Sequence, residues 1–218
     1  MALENSTATQ AAQYSDVISY ICEKDYSNEV VTIASGQDLE VGAVLGQILT
    51  SSETHAGNTG NGVLGSVTFG SKAMAGIYTL TCTVAATNAG TFKLTTPNGE
   101  TVPQLLTVAV AYTSDHLNVT LADGSTDFIV GDNFLVTVAT GNCEALDQTA
   151  TDGTQNPLGI LLANVDATGG AVKSAAVVRG EVIINTDGLK WNNTIATAQK
   201  NVAIAQMKRN GLVFRNGI

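Results

Sequence analysis

Charge is scarce in this sequence: 13% of its 218 residues are Asp, Glu, Lys or Arg, and 19 acids against 10 bases leave a formal net charge of -9. A surface of that sign repels phosphate backbones and anionic bilayers, which excludes direct nucleic-acid and membrane partners. Aromatic residues make up 5%, with a single Trp, so few rings are on hand to form a platform for sugars. The three cysteines, Cys22, Cys82 and Cys143, are an odd set without C-x-x-C spacing. That excludes a disulfide framework and a zinc site, and reduced, buried or half-buried thiols are expected. The two histidines, His55 and His116, stand too far from other ligand types to hold a metal and read as a loop residue and a strand-edge residue. Apolar runs such as LLTVAVAY fall far short of the roughly 20 residues a membrane helix needs. The opening MALENSTATQAAQ has neither a basic nor an apolar signal region, so the chain is expected to be soluble and made in a cytoplasm.

Catalytic signatures are missing too. GNTGNG at Gly57–Gly62 and the Gly-Ser-Lys of TFGSKAMAG lack the G-x-x-x-x-G-K-[ST] spacing that brings backbone amides and a lysine onto a phosphate. No G-x-S-x-G elbow is present. Asp115, Asp123, Asp127 and Asp132 lie close in sequence, yet each adjoins a turn, where Asp bonds its own backbone, and they lack the alternating order of a calcium loop. The chain therefore reads as a non-enzyme with no cofactor and no metal.

What is present is glycine (22 residues) with abundant Thr and Val, the composition of a turn-rich β fold. Between HAGNTGNG and ATGNCEALD the period is two. GVLGSVTFG, AGIYTLTCTVAA, GTFKLTT, TVPQLLTVAVAY, DHLNVTLAD and DNFLVTVAT are strand-like, with Tyr78, Leu80, Cys82 and Val84 expected on one face. Pro97-Asn98-Gly99 and Ala122-Asp123-Gly124 read as hairpin turns. Six or seven short strands in about 85 residues suit an immunoglobulin-like β-sandwich, and its Gly/Asn-rich borders read as exposed connections. The flanks differ. EVVTIASGQ, AVLGQIL, LGILLANVDA and AAVVRGEVIIN are strand candidates, the last two forming a hairpin-like pair. Asn193-Thr194 are expected to cap a helix with Ile195, Ala198, Val202 and Ala205 on its buried face and Gly211 at its end.

Two features of the flanks stand out together. Leu45-Gly46-Gln47-Ile48-Leu49 is echoed by Leu158-Gly159-Ile160-Leu161-Leu162, two apolar strands in which a missing side chain lets neighbouring backbone approach. Around the second lie Thr151-Asp152-Gly153, Gly159-Ile160-Leu161, Asp166, Gly180 within VVRGEV, and Leu189-Lys190-Trp191; SGQDLEVGAVLGQIL precedes the middle. In that order and spacing the flanks resemble the head decoration protein family of tailed bacteriophages, the lambda-type protein D.

The resemblance implies a mainly β fold: a small β-barrel-like decoration domain of β-tulip type with a late short helix, interrupted by the sandwich. The expected division is an N-terminal capsid-binding arm (1–20), a discontinuous decoration domain (21–55 plus 143–218) and an inserted domain (56–142). It also implies function by binding. The partners are the major capsid protein and the chain itself as a homotrimer, on the outer surface of an expanded head at threefold and quasi-threefold sites, reinforcing the shell against packaged DNA. Leu3, Tyr14, Val17, Ile18 and Tyr20 are the arm residues expected to meet the capsid, by adding a strand to a partner's sheet. Asp152, Gly153, Gly159, Ile160, Leu161, Gly180, Leu189 and Trp191 are expected to shape the decoration domain. The alternative class is a surface carbohydrate-binding or adhesion module, and a host-surface glycan is the partner open to the insert.

Overall fold

The computed structural model describes residues 13–192 and 194–217. In chain order the elements are α1 (Tyr14–Val17), β1 (Ile18–Ile21), α2 (Lys24–Ser27), β2 (Asn28–Ile33), β3 (Asp38–Leu39) and β4 (Val44–Thr54). Then come β5 (Thr68–Phe69), β6 (Gly76–Ala86), β7 (Ala89–Thr95), β8 (Thr101–Thr107), β9 (Ala111–Tyr112), β10 (Leu117–Thr120) and β11 (Asn133–Ala145). The last are β12 (Pro157–Leu161), β13 (Val165–Asp166), β14 (Val172–Val177), β15 (Val182–Asn185), α3 (Thr197–Lys208) and β16 (Leu212–Arg215). The chain divides into two compact units. The first runs to Leu45 and takes in Cys143–Leu146 and everything from Pro157; the second comprises Gly46–Asn142 and Asp147–Asn156.

Strands β2, β14, β12, β4 and β11 follow one another and close into a small five-stranded barrel through the β2–β11 pairing at Ile33 and Cys143; β2, β12 and β14 belong wholly to the first unit, and of β4 and β11 it holds Val44–Leu45 and Cys143–Ala145. The two Leu-Gly strands are neighbours in it: the Leu161 amide donates to the Ala43 carbonyl at 2.9 Å. Their unbroken apolar runs have a physical reason. Leu45, Leu161, Ala176 and Cys143 belong to one buried cluster, whereas Val44, Ile160, Val177 and Leu146 belong to another. Strands covered on both faces need no polar alternation. The second cluster is completed by Val17, Ile18, Val182, Ile184, Ala203, Met207 and Leu212, drawn from α1, the three-stranded sheet β1-β15-β16 and α3.

The late helix is shorter and rotated relative to the sequence expectation. It starts at Thr197, with the Ala196 amide donating to the Gln199 side chain at 2.9 Å; Asn193 lies outside the described residues, and Thr194 instead turns back onto Asn192. Ile195, Ala203 and Met207 are buried, whereas Ala198, Val202 and Ala205 face solvent. The stripe advances by four residues per turn, and the alanines gave no apolar contrast by which to place it.

In the second unit, β11, β6, β7 and β8 pair antiparallel, and β5, β10 and β9 form a second sheet. Both contribute to one core: Tyr78, Leu80, Phe92 and Phe134 from the first, Phe69, Tyr112, Leu117 and Val119 from the second. Phe128 meets Phe92 edge-on at 5.1 Å between centroids. Val84 departs from its expected face. A register shift between Cys82 and Val84 turns the strand over, leaving Val84 exposed. The Pro97–Gly99 turn joins β7 to β8 as expected, with the Thr96 amide donating to the Glu100 carbonyl at 2.8 Å. Ala122–Gly124 makes no hairpin; β10 and β11 lie in different sheets, and the chain crosses between them.

Candidate functional site

The segment expected to reach a capsid begins outside the described residues, where Leu3 lies, and enters the first unit at Gln13. The Asp16 carboxylate accepts from the Gln13 amide at 2.8 Å and so closes the α1 turn. Beyond it the expectation needs correcting. Val17 and Ile18 are not free to meet a partner: both are buried in this chain's own core, and β1 already pairs with β15 through Ile18–Ile184 and Ile21–Val182. Fully burying two such side chains contributes about 1.5–3 kcal/mol each, more than an unpaired terminus retains. Tyr14 and Tyr20 do remain exposed, at 37% and 54%. Because β1 is the outer strand of its sheet, Tyr20 shares a cross-strand row with Ile183 and Val213 on a solvent-facing surface.

Tyr26, 59% exposed, extends the aromatic surface of this unit. The Arg179 guanidinium lies 5.3 Å from its ring and pairs with Glu29 at 2.5 Å. Gly180, at φ +93°, brings its backbone against Ser27, which explains the Gly of VVRGEV. Leu189 is buried, and Trp191 packs half-buried on the same core, with Lys200 Nζ 5.8 Å from its ring. Gly159 lies where a Cβ would fall on the Val177 carbonyl oxygen, and in the second unit a Cβ on Gly46 would fall on the Thr154 carbonyl oxygen. The repeated Leu-Gly is thus a close backbone approach in both places.

Asp152 and Gly153 belong to the second unit. Asp152 Oδ1 accepts from the Thr154 amide at 3.0 Å and its hydroxyl at 2.6 Å. The same Asp-x-Thr turn recurs at Asp147–Thr149 and Asp166–Thr168. In those two copies the threonine hydroxyl and amide hold the carboxylate below its usual pKa. This device went unremarked in the sequence although its spacing is legible there.

The larger oversight is the strap GNTGNG. It is no exposed connection: Gly60 and Gly62 are buried. Asn58 exchanges two 2.8 Å hydrogen bonds with the Asn133 backbone, as a strand neighbour would. The Asp132 carboxylate accepts from the amides of Thr59, Gly60 and Ile129 at 3.0, 2.9 and 3.1 Å. Burial opposes ionisation of Asp132, yet these three N–H donors outweigh it and hold the pKa below the carboxylate norm.

Among the described residues no group of three or more His, Cys, Asp or Glu gathers in metal-binding range. The three thiols are free; Cys82 and Cys143 are buried and Cys22, against expectation, is exposed. Burial pushes Cys143 up to about 11, far from a reactive thiolate. No described helix is long and apolar enough to cross a membrane.

The chain thus combines a closed β-barrel with a separate three-stranded sheet whose outer strand exposes Tyr20. The sequence matches the family model of the bacteriophage lambda head decoration protein D over residues 7–212, and the chain belongs to that family. It is a family of structural capsid proteins, not known as enzymatic, so membership places the protein with the phage capsid. No curated protein matches. Among solved structures, the crystal structure of Xanthomonas campestris FlgL shares 16% identity over 47% of this chain, with a TM-score of 0.33. The present chain spans 34% of that protein, and a likeness of this size carries no argument.

Proposed function

We propose that the protein binds the outside of an expanded phage head as trimers at threefold and quasi-threefold sites, reinforcing the shell against the pressure of packaged DNA. The observation that carries this reading is the family match across residues 7–212. A symmetric trimer suits a threefold site because their symmetries coincide. Residues 56–142 are the immunoglobulin-like passenger, projecting outward from the head. Cryo-electron microscopy of the parent virion tests the placement: threefold protrusions of this mass are expected, and density there belonging to another protein overturns it.

The arm is the second element of the proposal. With Val17 and Ile18 held in the core, the part left to reach a capsid protein is the sequence ahead of α1, together with Tyr14 and Tyr20. Deleting Ala2–Gln13 is expected to leave the melting temperature nearly unchanged, because a segment so polar in sequence offers almost nothing to a core. Attachment to expanded heads is expected to weaken about tenfold or more, which is roughly 1.4 kcal/mol of lost pairing. Co-sedimentation with heads and a melting curve decide it, and undiminished attachment defeats the arm.

A further inference from the structure

The second unit carries a cleft of about 560 Å³ between two turns, and both turns are rigidly tied. On one side the Thr96 hydroxyl accepts from the Glu100 amide at 3.1 Å. On the other, Ser114 Oγ accepts from the amides of His116 and Leu117 and donates to the Leu117 carbonyl. The wall bearing Lys72 is fixed by its amide, which donates to the Asp115 carbonyl at 2.7 Å. The walls of this cleft are built before any ligand arrives, so little ordering cost falls on binding.

The polar groups converge in a distinctive combination. Lys72 Nζ and Asp115 Oδ2 stand 2.9 Å apart, an ammonium and a carboxylate side by side with unused donors on one and acceptor capacity on the other. Tyr78 OH, fully buried, accepts from the Met74 amide at 3.0 Å and lies 3.4 Å from His116 Nδ1. Gln104 adds a carboxamide with both functions, and buried Val102 with half-buried Met74 supply apolar surface.

Net charge narrows the ligand. Lys72 is balanced by Asp115 and Glu100 remains, so an anionic ligand meets an uncompensated carboxylate. A metal ion lacks converging acids here. Hydroxyl groups in adjacent pairs both donate and accept, matching the ammonium–carboxylate pair, while a C–H face covers Val102 and Met74. We propose that this cleft is a binding site for a neutral saccharide. It lies wholly within the second unit and stands apart from the capsid reading.

The test is a chemical-shift titration of the full-length protein with methyl pyranosides of glucose, mannose and galactose and with N-acetylglucosamine, using sialic acid as the anionic probe. Shifts confined to Lys72, Thr101, Gln104 and His116 are expected with at least one neutral sugar and not with sialic acid. The expected affinity is about 1 mM, the strength of a few hydrogen bonds in an open cleft. Asp115→Asn and Gln104→Ala, both at exposed side chains, should each weaken binding about tenfold or more, with melting temperatures retained. The proposal is overturned if none of the neutral sugars moves these resonances, if the shifts map elsewhere, or if both variants bind as the parent does.

Discussion

Replacing Asp132 by Ala will destabilise the second unit by about 3–5 kcal/mol, since three backbone donors lose a charged acceptor in a site with little water to replace it. The carboxylate holds Thr59, Gly60 and Ile129 at once, so the strap over Phe128 should loosen with it: Gly60 and Gly62 both lie against that ring. Hydrogen exchange should therefore accelerate first at residues 59–62 and 129. Because the folded-state pKa is depressed, the contribution of Asp132 is complete above the unfolded-state value of about 3.9 and is lost as pH falls through the lower folded value. The gap between parent and variant, measured by urea melts, should then be full at pH 7 and narrow below about pH 4. A gap of constant size across that range would mean that packing, and not the ionised carboxylate, holds the strap.

Gly159→Ala is the second large effect. The added methyl would occupy the position of the Val177 carbonyl oxygen and press on Val178, in a strand buried on both faces. No flexible side chain can yield there, so β12 and β14 must separate at the Ile160–Val177 pair. Overpacking of this kind costs about 2–4 kcal/mol. For a chain of this size that is a fall of roughly 5–15 °C in melting temperature. Gly169→Ala is the control, since a Cβ there meets nothing within 4 Å, and it should melt with the parent. Equal melting of the Gly159 and Gly169 variants would remove the close-approach explanation of the repeated Leu-Gly.

Much of the fold was legible because it rests on local pattern. YTLTCTV announces β6 by alternation, Pro97-Asn98-Gly99 announces its turn by backbone preference, and the doubled Leu-Gly announces two strands with room for a neighbour. The errors have physical causes. Val84 is on the wrong face because a bulge adds one residue to a strand, which no count of alternation reveals. The helix face was misplaced because Ala198, Ala203 and Ala205 look alike in a pattern although only Ala203 is buried. Val17 and Ile18 suggested a strand awaiting a partner; β15, some 165 residues later, is the partner they find.

The strap shows most clearly where sequence stops. A run of Gly and Asn signals backbone freedom, and either an exposed connection or a tightly bonded one uses it. Asp132 decides between them by placing a carboxylate 72 residues away in the chain against the Gly60 amide. By itself the sequence determined a mainly β protein of low charge, the residues whose order marks the head decoration family, and the lack of any local catalytic motif. These are properties of composition and short-range spacing. Only the tertiary structure decided that β2 and β11 close a barrel, that Val17 and Ile18 are buried in a core, and that Lys72, Gln104 and His116 border one cleft. Each of those depends on distant residues being brought together by burial and backbone hydrogen bonding, and spacing along the chain does not encode that proximity.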